Sequence, residues 1–213
     1  MWSLIFFIIV IIGVGVFFWQ KNKRKKEAEV QPNTPKELTL ENVEPGGVIH
    51  LMNVGPDMEE YDVTILSKSI YREGESTEWY ELEGDNGKQK VWISIEEDDG
   101  LDVTLALRTL KLRDLPINRS DLDIMDESAE GEFEFEGQTF YFEYSNEASF
   151  FSNGNTSRDN ESFFYYWEFE NENEDQFITI EEWENGKFEI TLAVPLKSSQ
   201  IKIYSLGDGN AAY

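Results

Sequence analysis

Carboxylates are the one chemically active side-chain type this sequence carries in number: 43 Asp and Glu stand against 18 Lys and Arg, with one His and no Cys among 213 residues. Two pairs occupy matching places in strand-like segments, Glu96-Glu97 in VWISIEE and Glu181-Glu182 in FITIEEW. Carboxyl groups brought close together raise one another's pKa, an arrangement that serves acid–base chemistry in glycosidases and also holds cations. In so acidic a chain the commoner state of a strand-end carboxylate is a solvated charge, so these four residues form a candidate site only if the fold makes them converge. The acidic runs Glu96-Glu97-Asp98-Asp99 and Asp121, Asp123, Asp126 lack the ligand spacing of a calcium-binding EF-hand loop, and no metal is assigned.

Other chemistries find no foothold. His50 sits inside the apolar segment VIHLMNV with no nucleophile motif near it, so it reads as a strand residue rather than a member of a catalytic triad. Zinc sites use Cys and His ligands in spaced pairs, and these are missing. GDNGK at 84–88 is a hairpin turn and not a phosphate loop, because no Ser/Thr ligand and no apolar helix follow it. No catalytic residue and no cofactor is assigned.

The elements that position the carboxylates follow from a period of two. In SFFYYWEFE, Phe163, Tyr165, Trp167 and Phe169 point one way and Phe164, Tyr166, Glu168 and Glu170 the other; in TFYFEY, Phe140, Phe142 and Tyr144 alternate with Tyr141 and Glu143. Asp85-Asn86-Gly87, Asp99-Gly100, Asn153-Gly154 and Asn185-Gly186 supply the positive φ angles of tight turns. Short strands between such turns predict an antiparallel all-β fold. Trp92, Phe164, Tyr166, Phe177 and Trp183 fall on faces that alternation would give to solvent. They are read as a seam between two halves of the domain, or else as a partner-binding patch.

Two halves are expected because the chain resembles itself. From Tyr80, YELEGDNGKQKVWISIEEDDGLDVTLA runs beside WEFENENEDQFITIEEWENGKFEITLA from Trp167: Tyr80 and Leu82 fall on Trp167 and Phe169, Glu81 and Glu83 on Glu168 and Glu170, and Trp92 on Phe177. Glu96-Glu97 then falls on Glu181-Glu182, and Leu101–Ala106 on Phe188–Ala193. The expected fold class is therefore all-β, two tandem copies of an antiparallel β-meander packed as a barrel or sandwich and preceded by one transmembrane helix. The expected boundaries are an anchor at 1–20, a basic collar and linker at 21–44, repeats at 45–110 and 130–204 joined by a connector at 111–129, and a tail at 205–213. Each repeat alone is too small to bury much surface, so the two should pack together.

The anchor is WSLIFFIIVIIGVGVFFW, Trp2 to Trp19, eighteen residues without a charge. At about 1.5 Å of rise per residue this suits a hydrocarbon core roughly 30 Å thick, and the flanking indoles suit the headgroup layer. Lys21, Lys23, Arg24, Lys25 and Lys26 follow at once. Such cations stay on the cytoplasmic side and lie against anionic lipid, which predicts a single-pass protein of the cell membrane with its N-terminus outside and the β domain in the cytoplasm. Beyond the collar the balance reverses: removing those five leaves 13 basic residues against 43 acidic ones, a net charge of −30 for residues 27–213. A body so charged repels nucleic acid and favours a basic protein partner. Aromatic residues make up 14% of the chain, enough for a packed core, which sets it apart from acidic disordered chains.

The segments NVEPGGVIHL, YDVTILSKSIYREGESTEWYELE, VWISIEEDDG and YYWEFENENEDQFITIEEWENGKFEITLA resemble the bacterial domain of unknown function 4178 over about residues 38–204. The resemblance implies a membrane-associated protein in an envelope-stress setting and carries no catalytic residue with it. The expected function is an interaction or regulatory module at the cytoplasmic membrane face. The alternative is an enzyme or a small-ligand or cation-binding barrel that uses the paired carboxylates.

Overall fold

Among the described residues, alternating apolar and polar side chains build eleven strands, and a single antiparallel sheet holds all of them. The structure is a computed structural model that describes residues 36–55, 57–74, 76–97 and 100–209. The strands are β1 (Gly46–Val54), β2 (Glu59–Glu73), β3 (Thr77–Asp85), β4 (Lys90–Glu97), β5 (Leu101–Leu110), β6 (Glu132–Phe135), β7 (Gln138–Phe151), β8 (Glu161–Asn171), β9 (Phe177–Trp183), β10 (Phe188–Pro195) and β11 (Ile201–Gly207). One α-helix, α1 (Arg119–Ser128), lies in the connector, capped by the Asn118 side chain, which accepts from the Ser120 N–H. The stretch Leu40–Asn42, at the end of the expected linker, is a single 3₁₀ turn.

The strand order is β11-β1-β2-β3-β4-β5-β10-β9-β8-β7-β6, with a further pairing of β2 to β7. The eight strands from β2 round to β7 thus close into a ring, which corrects the expectation of a barrel or sandwich. Its two halves are joined through backbone ladders, not by face-to-face packing of separate sheets. One joint, β5 to β10, pairs six residues from Ile190↔Leu110 to Pro195↔Thr104; the other, β2 to β7, pairs only Ile70↔Phe151, Tyr71↔Phe150 and Arg72↔Ser149.

β11 also crosses the expected boundaries. It spans the end of the second expected repeat and the start of the tail, yet it pairs with β1 at the edge of the first half. Among the described residues no helix is long and apolar enough to cross a membrane. Trp2–Trp19 and the collar cations Lys21, Lys23, Arg24, Lys25 and Lys26 lie outside the described residues.

Each half has its own core. Ile49, Leu51, Val63, Leu82, Ile93 and Leu105 are sealed from water in the first, with Leu40, Val43 and Leu196 covering them. Phe140, Trp167, Phe169, Ile178, Ile180 and Ile190 form the second, covered by Leu115, Ile117, Leu122 and Met125 from the connector. Strands of the two halves therefore turn one face to a core and the opposite face to the interior of the ring. Register irregularities allow a strand to serve both. In β2 the shift between Ile65 and Ser67 moves the chain from the first core to the ring interior, and in β7 the shift between Phe142 and Tyr144 does the same. Tyr144 consequently does not share the core face of Phe140 and Phe142 that simple alternation assigns to it.

Candidate functional site

The inner faces of β3, β4, β8, β9 and β10 carry Glu81, Glu96, Glu168, Glu181 and Glu189, placed there because their strand neighbours Leu82, Ile95, Trp167, Phe169, Ile180 and Ile190 fill the two cores. Glu181 pairs across the ladder with Glu189, a like-charge juxtaposition that costs energy when both are ionised. Burial, with the charges of Glu81 and Glu189 added, pushes the Glu181 carboxyl up to about 8. The same burial raises Glu81 to about 7, although the Tyr71 hydroxyl donates to it at 3.3 Å and pulls the other way. The charge of Glu81 is thus one of those that hold the Glu181 carboxyl protonated.

Glu168 rises to about 7, from burial first and then the charges of Glu96 and Glu73. Its side chain is the most water-accessible of the three, so screening by solvent tempers its share. No cation is among the groups that shift any of these carboxyls.

At the β2–β7 joint the seam becomes aromatic. Tyr71, Ala148, Phe164 and Tyr166 are buried, with Trp79, Phe150 and Trp183 packed against them. Tyr71 stacks on Trp79 at 5.3 Å and meets Phe150 and Phe164 edge-on, so rings from both halves interlock. Glu73 closes the rim: its carboxylate, on β2, accepts hydrogen bonds from Tyr144 Oη at 2.6 Å, Asn146 Nδ2 at 2.8 Å and Tyr166 Oη, all on the other half. Burial works against its ionisation, but these three donors outweigh burial and hold its pKa below the usual carboxylate value. Trp183 Nε1 is buried without a partner in hydrogen-bond geometry, so its lowering pull on Glu181 is that of a loosely aimed N–H dipole.

Of the four carboxylates singled out from the sequence, Glu96 and Glu181 therefore face the ring interior, while Glu97 and Glu182 point to the other side of their strands. Glu182 accepts from Arg119 Nε at 2.6 Å, and the same guanidinium sits 4.8 Å over the Trp167 ring, fastening α1 to the second half. Each meets a residue outside the expected set: the charge of Glu96 acts on Glu168, and that of Glu81 acts on Glu181. Those two partners were visible in the sequence, since they occupy matching positions in the internal resemblance. Glu73 was not, because YREGES reads only as a strand end running into a turn.

Phe164, Tyr166 and Trp183 lie in the seam, whereas Trp92 and Phe177 are half-buried and stand outside that cluster. His50 sits half-buried between Asp62 Oδ1 at 2.7 Å and Glu60 Oε1 at 3.0 Å, stacked on Tyr204. Among the described residues no group of three or more His, Cys, Asp or Glu is arranged to hold a metal ion. A separate open cleft of about 470 Å³ is lined by Tyr61, Gln89, Arg108, Glu136, Gln138 and Gln176 together with apolar residues of β5; none of the seam carboxylates lines it.

Fold and site together define an all-β protein with one ring-closed sheet and an acidic, aromatic seam. The chain belongs to the family described as Domain of unknown function (DUF4178), whose sequence pattern matches residues 56–198, well over half its length. The match leaves out β1 and β11, the two strands that pair with each other at one edge of the sheet. No curated protein and no solved structure matches the chain.

Proposed function

We propose that this chain is a membrane-tethered acidic β module that recruits or regulates a basic protein at the cytoplasmic face of the cell membrane. The span Trp2–Trp19 and its collar supply the tether, and the N-terminus lies outside. The observation that carries the reading is the exposed acidity of the β6–β8 side of the sheet. Glu132 and Glu134 on β6, Glu143 and Glu147 on β7, and Glu172 and Glu174 after β8 are all exposed, and the charges of Glu143 and Glu174 are felt at Glu170. Such a field accelerates encounter with a positive partner and suppresses negative ones. The family resemblance supports an envelope-stress setting.

The test uses the full chain in vesicles incubated with native extract at low and at high salt, beside a variant carrying Glu132→Gln, Glu134→Gln and Glu143→Gln. A basic partner retained at low salt, released at high salt and lost with the variant supports the reading. Equal retention by the variant, or no salt-sensitive partner, overturns it.

One observation favours the alternative, an enzyme or a small-ligand or cation-binding protein: carboxylates from both halves converge on the ring interior with pKa values near neutrality, where acid–base groups work best. Thermal unfolding of the wild type and of Glu81→Gln with Ca²⁺ or Mg²⁺ decides that reading. A cation-induced rise in Tm that disappears in the variant supports it, and identical curves with and without cation remove the cation form of it.

A further inference from the structure

The two joints of the ring are unequal. β5 to β10 is a six-residue ladder, and β2 to β7 is a three-residue one whose strands then diverge. Behind the short joint, Glu81 on β3 of the first half faces Glu181 on β9 and Glu189 on β10 of the second, with Glu168 on β8 beyond them. The geometry points to a proton-operated latch: β2–β7 is held shut while Glu81 and Glu181 are protonated, and their joint ionisation drives it open about the β5–β10 hinge. Opening uncovers the aromatic cluster of Tyr71, Trp79, Phe150, Phe164, Tyr166 and Trp183. The inference is independent of the partner proposed above.

Three physical facts support the latch. First, every charged group that acts on Glu81 is acidic: Glu83 on its own strand and Glu189 on β10, while β2 contributes the neutral Tyr71 hydroxyl. Around Glu181 the acting groups are Glu81, Glu189, Glu168 and the Trp183 indole. Ionising both carboxyls therefore places several like charges in a partly dehydrated space with no cation to offset them. Second, part of this repulsion, that of Glu81 with Glu181 and Glu189, acts between the halves, and separating them relieves that part. Third, the sign is opposite to that of ordinary carboxylates: folded-state values raised above the unfolded one favour the closed form at low pH, and this advantage fades as pH rises through about 7 to 8. Glu73 works against opening, because its three donors lie across the joint and favour its ionised form.

The experiment is amide hydrogen exchange on the full chain from pH 5.5 to pH 8.5, corrected for the intrinsic pH dependence of exchange and read at Ile70, Tyr71, Arg72, Ser149, Phe150 and Phe151. The latch predicts that protection at these amides falls at least tenfold across the range while protection at the β3–β4 amides of Leu82 and Ile93 holds steady. Glu81→Gln with Glu181→Gln, which mimics the protonated pair, should abolish that fall. Glu189→Gln, a milder change that removes one of the charges raising both carboxyls, should shrink the fall and end it at lower pH, and this variant serves as the test should the double variant not fold. Protection at the joint that is unchanged with pH, or the same fall in Glu189→Gln as in the wild type, overturns the inference.

Discussion

At the scale of the residue, the seam sets two kinds of carboxylate side by side. Glu73 has three donors and is stable as an anion; Glu81 has one long hydrogen bond, Glu181 has none in good geometry, and burial favours the protonated form of both. Glu73→Gln removes the charge that makes its hydrogen bonds strong, and an amide nitrogen cannot accept from Tyr144 or Tyr166. We expect a loss of about 1–2 kcal/mol, measured by urea unfolding at pH 7. Arg119→Ala detaches α1 from Glu182 and from the Trp167 face, and about 1 kcal/mol is expected from the same measurement. Residue identity in the sequence carried part of this. The carboxylates stood out by number, but which of them meet depends on the β5–β10 and β2–β7 joints, which pair strands far apart in the chain. Asn171 shows the same limit: inside NENE it looks like surface, yet it is buried and accepts from the backbone N–H groups of Asp175 and Gln176 at 3.0 Å to shape the β8–β9 turn.

At the scale of the element, the strands were legible wherever alternation met a turn signal. Asn86-Gly87 and Asn185-Gly186 close the β3–β4 and β9–β10 hairpins, with Gly87 and Gly186 at positive φ. The tight β6–β7 hairpin was less visible. It uses Glu136-Gly137, both at positive φ as a type I′ turn demands, and Glu is a poor marker for such a position. The register shifts in β2 and β7 were invisible, since a bulge is a property of two paired strands and not of one. Gly84 marks a close approach between β3 and β2: a Cβ there would overlap Val63 Cγ1 and stand 2.9 Å from the Thr64 carbonyl. Gly84→Ala should therefore destabilise the fold by about 2–3 kcal/mol, seen as a fall in the denaturation midpoint at unchanged slope. Gly137→Ala, where space is open but φ is +82°, should cost less, about 1 kcal/mol.

At the scale of the whole molecule, the all-β class followed from periodicity and turn signals, whereas the two separate cores and the closure of one sheet through β2 and β7 did not. Closure depends on β2 and β7 being long enough, 15 and 14 residues, to leave their own cores and meet. It also places most charge effects of opposite sign in one region, so stability against pH becomes the property that reports on the architecture. Below the ordinary carboxylate range the Glu73 hydrogen bonds weaken as that group protonates; above it the Glu81 and Glu181 carboxyls lose protons they hold only in the folded state. Maximum stability is thus expected near pH 5, with a decline of about 2 kcal/mol by pH 8.5, less than the shifts alone would give because water reaches both groups. The most direct test is the urea midpoint of the full chain measured from pH 5 to pH 8.5, for the wild type and for Glu81→Gln with Glu181→Gln. The midpoint should fall steadily with pH in the wild type and stay level in the double variant. A wild-type midpoint that is level or rises over this range, or an equal fall in both proteins, would contradict a seam built on facing carboxylates.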